Sequence, residues 1–480
     1  MLTGFSRVSF GALLVAGVFQ TGAGVTAANA ESVERNFTPR SSVTSNGVTK
    51  QFNFGGGSSA SVSDPAAQRL GTSTESVAST LPPEDAASSR GGTPLEALSS
   101  RTQIYGADRS VAPMLNSRSE QALETAIAGY ESIARSGGWG TIQASRNLRK
   151  GGKGTVVAAV RRRLAIEGYL PRSAANGDSY DQSVAQAVGD YQDNHGLKVT
   201  GIVDQTTAAS MSIPVKARID TMRANLIRLP EYTKELTRRY VVVNIPAAKL
   251  EAVDGNRVVS THTAIVGKPE RPSPVVSSEI SEINFNPYWH SPKSIVIKDI
   301  VPKVRKSRAV LKQMQIKIFD GYQGPEVNPS DIDWNAPAEE IADRYHFRQE
   351  PGGENAMASV KINFHNKYSV YMHDTPTKTL FNESQRYFSS GCVRVEDVQQ
   401  LSSWVLGNQD GWNLSQIQSV ARSEERIDVS LKNKVSVRWV YLTAWAGPDG
   451  MVNFRDDIYG LDGTGFITGQ PIGSPEESAG

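Results

Sequence analysis

Two hydrophobic periods occupy separate stretches of this chain. Up to about residue 213, apolar residues recur at helical spacing; from Tyr240 onward they come in short β-branched runs. A period near 3.6 does not settle as strand, and a period of 2 does not settle as helix. The chain therefore combines a helical part with a mostly-β part.

The helical part begins near Ser117. Leu123, Ile127, Tyr130 and Ile133 share one helix face, and Gly137-Gly138-Trp139 ends that helix. Val157, Val160 and Leu164 form a second stripe, and Val184, Ala187, Val188 and Tyr191 a third. Gly168-Tyr169 and His195-Gly196-Leu197 stop those helices, and Asp204 reads as the N-cap of another. The expectation is a helical segment over 114–153 packing on the β part, then a compact three-helix domain over 154–215. The β part, 216–463, has strands at Tyr240–Ile245, Val258–Val266, Ile280–Asn286, Lys361–His365, Ser369–His373 and Val435–Trp445. Helix-like stretches over about 298–350 interrupt it, in the manner of a lid on a cleft. The fold class expected is α+β and multidomain.

The ends read differently. Residues 1–30 have Arg7, an apolar run from Val8 to Phe19, and Ala28-Asn29-Ala30. That is the three-part pattern of a secretory signal cleaved after Ala30, and it places the mature chain outside the cytoplasm. Residues 31–113 are rich in Ser, Gly, Ala and Pro, with four aromatics (Phe37, Phe52, Phe54, Tyr105) and no Trp. Such a stretch cannot bury enough apolar surface to offset its ordering entropy, so a disordered tether is expected. A flexible tail is expected over 464–480. Lys and Arg total 51 against 49 Asp and Glu, which gives no support to a nucleic-acid partner. After the N-terminus no apolar run is long enough for a multi-span membrane protein.

The chain has one cysteine, so no intramolecular disulfide forms. That cysteine stands in Ser389-Ser390-Gly391-Cys392-Val393-Arg394, where the glycine lets the backbone approach a substrate and turn its N–H groups inward. A free thiol has a pKa of about 8.5 and needs a neighbouring base or cation to react near neutral pH. His373 ends a strand nineteen positions earlier, and a loop over Asp374–Phe388 can fold back to join the two. The six histidines show no tight metal spacing, and neither metal nor cofactor is expected.

Tyr371-x-His373-Asp374 followed by Ser389-Ser390-Gly391-Cys392-x-Arg394 resembles the signature of the L,D-transpeptidase (YkuD-like) family. Ser390 stands where histidine is commonest in that family; the larger periplasmic members carry serine there too. Asn244-Ile245-Pro246, Ile265-Val266-Gly267-Lys268, Phe285-Asn286-Pro287-Tyr288-Trp289, Pro351-Gly352 and Tyr441-Leu442-Thr443-Ala444-Trp445 are similar to those members. Arg163-Leu164, Gly168-Tyr169, Tyr180-Asp181, Tyr191-Gln192 and His195-Gly196-Leu197 resemble a peptidoglycan-binding domain, although such a module also serves as a spacer that binds nothing.

The resemblance implies a periplasmic enzyme forming 3→3 cross-links in peptidoglycan. Cys392 would attack the third residue of a donor stem peptide and release the terminal D-Ala. His373 would carry the proton. Gly391 and Ser390 would help the Cys392 N–H hold the oxyanion. Asp374 or Thr375 would orient His373, and sequence does not choose between them. Arg394 would fix a carboxylate, shape the turn or form a structural ion pair, and Tyr371 and Trp289 would line the cleft. The partners implied are peptidoglycan stem peptides and glycan, with the chain a monomer. The same cysteine and histidine would also serve transfer to, or release of, outer-membrane proteins, and hydrolysis by water. A non-catalytic wall-binding protein is the remaining alternative.

Overall fold

The computed structural model describes residues 102–105, 111–447 and 449–463. The stretches read as a signal sequence and as a flexible tail, and most of that read as a tether, lie outside the described residues. The exceptions within the tether are informative. Gln103–Ile104 (β1) pairs antiparallel with Ser260 and Thr261, and the Val258 N–H donates to the Val111 carbonyl at 2.8 Å. The sheet therefore takes up chain inside the stretch read as tether. No helix among the described residues is long and apolar enough to cross a membrane.

Helix α1 (Ser119–Arg135) buries Leu123, Ile127 and Tyr130 and ends where the Gly138 N–H donates to the Ile133 carbonyl at 2.9 Å. The small domain holds α2 (Thr155–Ile166), α3 (Gln182–Asn194) and α4 (Gln205–Met211). Asp181 and Asp204 cap α3 and α4 by accepting from the Val184 and Thr207 N–H groups. The three helices close over Val157, Val160, Leu164, Val184, Val188 and Tyr191. Helix α5 (Val215–Thr233) packs on α1 and leads into the sheet.

The main sheet contains β2 (Arg239–Asn244), β3 (Lys249–Asp254), β4 (Arg257–Gly267) and β5 (Val276–Phe285). After β6 (Trp289–His290) come α6 (Lys293–Ile295), α7 (Val301–Lys306), α8 (Ala309–Gln313), β7 (Ile316–Asp320), α9 (Ala338–Arg344) and β8 (Tyr345–Gln349). The chain then returns to the sheet with β9 (Val360–Phe364), β10 (Met372–His373), β11 (Tyr387–Ser389) and β12 (Val393–Val395). Helices α10 (Val398–Leu406) and α11 (Leu414–Ser423) precede β13 (Ile427–Val440) and the hairpin β14 (Ala444–Ala446)–β15 (Val452–Phe454).

Strand order runs β4-β12-β10-β9-β5-β13-β2-β3, and β3 pairs with β4 again, so the path closes on itself. Pairs β10–β12 and β13–β2 are parallel; the others on this path are antiparallel. Ala264, Val266, Ile283, Phe285, Val360, Ile362, Met372, Val393 and Val395 join Leu401, Val405 and Ile417 of α10 and α11 in one core. Alternation then sends Asn284, Lys361, Asn363, His373 and Arg394 to the opposite face. A one-residue slip of β10 would bury His373 in that core and expel Met372, at about 1.5–3 kcal/mol for each large apolar side chain exposed.

The interruption has its own core, from Trp289, Val296, Ile300 and Leu311 to Trp334, Phe347 and Met357. It is wider than the 298–350 expected from sequence, and it carries a three-stranded sheet, β6-β8-β7, as well as helices. The expected strand Val435–Trp445 divides after Val440. Side chains replace the ladder there: Asn244 bonds both main-chain groups of Leu442, and Asn225 accepts from the Thr443 N–H at 2.9 Å. The strand expected over Ser369–His373 shrinks to its last two residues, because Asn366 binds the main chain of Tyr368 and Val370 in a turn.

Candidate active site

The parallel pairing of β10 with β12 sets Met372 beside Val393 and His373 beside Arg394. One step back along both strands, Tyr371 meets Cys392, and its carbonyl accepts from the Val393 N–H at 3.1 Å. Two residues apart along a strand means the same face. Tyr371, His373, Cys392 and Arg394 therefore stand together on one face of the sheet, with Cys392 also touching the main core and Tyr371 the core of the interruption. On the far side of β10, Lys361 of β9 registers with His373, and Asn284 of β5 with Lys361.

The thiol is half-buried. Burial pushes it up to about 11, opposed by the Tyr371 main chain and hydroxyl and by the Lys361 and Arg394 cations. The Tyr371 side chain beside the thiol favours the thiolate, and Trp289 beside Tyr371 favours the Tyr371 phenolate. Burial, and then the Arg394 guanidinium, hold the His373 imidazole down to about 3, while the main chain of Asp374 favours its protonation. At rest, both the thiol and the imidazole are thus neutral. The Nδ1 of His373 is buried and has no hydrogen-bond partner among the described residues.

The turn before Cys392 is held from behind. Gly391 sits at φ +115°, a conformation that L side chains rarely adopt. Ser273, 1% exposed, accepts from the Gly267 N–H at 2.9 Å and donates to the Gly391 carbonyl at 2.8 Å. The Lys268 N–H donates to the Ser389 carbonyl at 3.1 Å, and Tyr459 donates to the Gly267 carbonyl at 2.6 Å. A Cβ on Gly267 would lie 2.3 Å from the Arg271 carbonyl oxygen, so this crossing admits only glycine. Arg271 joins this turn to the interruption: it pairs with Asp299 and donates to the Ser390 hydroxyl at 3.0 Å. Asp299 lies in Val296–Ile300, a π-helical stretch between α6 and α7.

Of the residues singled out in the sequence, Cys392, His373, Tyr371 and Arg394 are brought together. The carboxylate of Asp374 points elsewhere, because a residue next to His373 in a strand takes the other face. It accepts from the Ser359 hydroxyl at 2.7 Å and the Thr375 N–H at 2.8 Å, and pairs with Lys378. Thr375 receives the Thr377 N–H at 3.3 Å. The Gly391 N–H donates to the Ser389 hydroxyl at 3.2 Å, and the Ser390 side chain is held by Arg271. Neither is directed at the thiol, whereas the Cys392 N–H makes no hydrogen bond among the described residues. Trp289 is 6% exposed and stands behind Tyr371 rather than lining open space. Arg394 forms no ion pair among the described residues, and its Nε is buried without a partner. Among the described residues no three His, Cys, Asp or Glu side chains are grouped to hold a metal ion.

Sequence reasoning missed Lys361, Ser273 and Arg271. Lys361 alone left a trace: with Asn363 it forms the polar face of a strand whose other face, Val360, Ile362 and Phe364, is core.

Residues 238–437 match the family model of the L,D-transpeptidase catalytic domain (YkuD), and residues 153–211 match that of a peptidoglycan binding domain. A Haemophilus influenzae protein assigned as an L,D-transpeptidase is 33% identical over 223 residues, 46% of this chain. The alignment spans 44% of that relative's length. An L,D-transpeptidase of Xylanimonas cellulosilytica is 16% identical, with 62% of this chain and 99% of that one covered, at a TM-score of 0.19. One of Stackebrandtia nassauensis is 12% identical, with 63% and 96% covered, at a TM-score of 0.24.

Proposed function

We propose that this chain, which carries an L,D-transpeptidase catalytic domain over residues 238–437, joins peptidoglycan stem peptides by 3→3 cross-links through a Cys392 acyl-enzyme. The observation that supports this reading is the pairing of two parallel strands that sets Tyr371, His373, Cys392 and Arg394 on one face of the sheet.

The donor's third-residue carbonyl meets the Cys392 sulfur. His373 takes the thiol proton as the S–C bond forms, since a buried neutral imidazole has a free lone pair and the thiol is protonated at rest. The Arg394 guanidinium and the Tyr371 hydroxyl favour the thiolate as it develops. The unused Cys392 N–H stabilises the oxyanion. The peptide C–N bond then breaks, His373 returns its proton to the amine, and D-Ala leaves. The side-chain amine of a second stem peptide attacks the thioester, gives a proton to His373, and expels the Cys392 thiolate, which is reprotonated. The exported location expected from residues 1–30 is part of this proposal.

The test sets wild type beside Cys392→Ala with disaccharide-tetrapeptide, products being read by mass spectrometry. A dimer lacking one D-Ala, formed by wild type alone, is expected. Tripeptide alone would assign the acyl-enzyme to water. An unchanged tetrapeptide, with no covalent β-lactam adduct on Cys392, would overturn the mechanism.

A further inference from the structure

A cavity of about 380 Å³ is lined by Tyr288, His290, Lys361, Asn363, Asn366 and Tyr371 among others, and reaches the site through Tyr371, which faces Cys392 across the strands, and Lys361, which registers with His373. We infer that it is a carboxylate subsite, in which Lys361 reads a free carboxylate on the substrate peptide. This rests on stem peptides being the substrate.

Three observations carry the inference. Lys361 is the one Lys or Arg of the lining, and the lining holds no Asp or Glu. Its half-buried ammonium forms no ion pair among the described residues; it stands 4.4 Å from the centre of the Tyr371 ring. A ring face offers a desolvated cation only weak compensation compared with an anion. The acids nearby are engaged elsewhere. Glu282 receives the Asn284 and Asn363 amides, and Asp428 accepts from Asn284 at 2.7 Å and pairs with Arg426. A solvent-poor cation with no direct ion pair, facing a cavity whose lining holds no Asp or Glu, can take an anion from the substrate.

Position gives the anion its identity. Neighbouring strands lie about 4.8 Å apart. Arg394 and Lys361 register on opposite sides of His373, so one cation flanks the base on each side. A peptide whose carbonyl reaches Cys392 presents its carboxylates within reach of that row. Two carboxylates fit: the one on the side chain of the third residue, and the C-terminal one on the leaving D-Ala.

The experiment measures binding in the Cys392→Ala full chain, so that turnover is not required. Three tetrapeptides are compared: unmodified, amidated on the third-residue side chain, and amidated at the C-terminus. The unmodified peptide is expected to bind roughly ten-fold or more tighter than one of the two amides. Adding Lys361→Met is expected to erase that difference, and Lys361→Arg to keep it. The amide that loses affinity identifies the carboxylate. Equal binding of all three peptides, or a uniform loss on all three in Lys361→Met, overturns the proposal; a uniform loss assigns Lys361 to the thiol's electrostatics. Discrimination without transfer by the wild-type chain would leave the subsite standing and count against the cross-linking reaction.

Discussion

The Ser273 hydroxyl donates a 2.8 Å hydrogen bond to the Gly391 carbonyl, and this bond fixes the plane of the Gly391–Cys392 peptide. In a trans peptide the C=O and the following N–H point in opposite directions. Anchoring the carbonyl behind the turn therefore aims the Cys392 N–H away from Ser273, where a tetrahedral oxyanion needs a donor.

Ser273→Ala is expected to lower kcat about ten- to hundred-fold with little change in KM, since removing an oxyanion donor outright costs about a hundred- to a thousand-fold and here the donor is only misaimed. The substitution also leaves the Gly267 N–H and the Gly391 carbonyl unpaired in the interior, so a stability loss of about 1–3 kcal/mol accompanies it. Ser273→Thr keeps the hydroxyl and should recover kcat. A kcat that follows the stability loss and is not recovered by Thr would assign Ser273 a structural role alone.

The thiol lifted to about 11 and the imidazole held to about 3 predict how reactivity follows pH. Between those values both groups are neutral, so native Cys392 should react slowly with iodoacetamide at neutral pH. Its rate should keep rising toward pH 11 instead of levelling near the 8.5 of a free thiol. Arg394 lowers both values, so Arg394→Met shifts the His373 limb of kcat/KM to higher pH and slows alkylation at a given pH. A thiol that levels off below about pH 8 in the wild-type chain would contradict the neutral-pair assignment.

The same burial makes the fold sensitive to acid. His373 is held to about 3 and His262 to about 4, both by desolvation first. Their unfolded values lie near 6.5, so the stabilisation of the neutral forms is complete above that pH. As pH falls from about 6.5 toward 4, the unfolded chain takes up protons that the folded chain refuses. Each unit of pKa difference is worth about 1.4 kcal/mol, so the two histidines together withdraw several kcal/mol by pH 4. Melting temperature should drop steeply between pH 6.5 and 4, and His262→Gln should flatten part of that slope. A melting temperature constant over that range would refute it.

The candidate motif was legible because its features are local: a cysteine after glycine, and a histidine closing a strand. The helical triplet was legible for the same reason, since its stripes at 157–164 and 184–191 are uninterrupted. What failed was long-range. Helix α5 buries Asn225 and Arg228, which reach Thr443, the Tyr441 carbonyl and Asp462, so its apolar stripe is broken by residues whose partners lie more than 200 positions away. Strand β1 lies within a stretch of tether composition and is strand only because β4 offers an edge. Asp374 was assigned by its place next to His373, and its carboxylate turns to Ser359 and Lys378; Trp289 was assigned as a cleft aromatic, and it is buried. Ser273 looks like a loop residue until Gly391 is folded against it.

The small helical domain is seated on the β part by the residues that gave it its resemblance. The His195 ring lies 3.7 Å from the Tyr191 ring centre and 5.4 Å from that of Phe454 in β15. Arg455 donates to the Asn194 carbonyl at 2.9 Å, and a Cβ on Gly196 would come within 2.6 Å of Arg455. Tyr130 of α1 donates to Glu167 at 2.9 Å, and Glu167 pairs with Arg163 in full burial. A buried ion pair strands an uncompensated charge when either partner is lost. These side chains are therefore committed to the joint, and any glycan contact must use other surfaces. Gly196→Ala, which adds both a clash and a strained φ, is expected to loosen the joint and lower the melting temperature of the whole chain in one transition. Substituting exposed residues of α2 and α3 should leave melting unchanged. Two separate transitions in the wild-type chain, or a Gly196→Ala protein that melts like wild type, would show that the domain is not coupled to the catalytic unit through this joint.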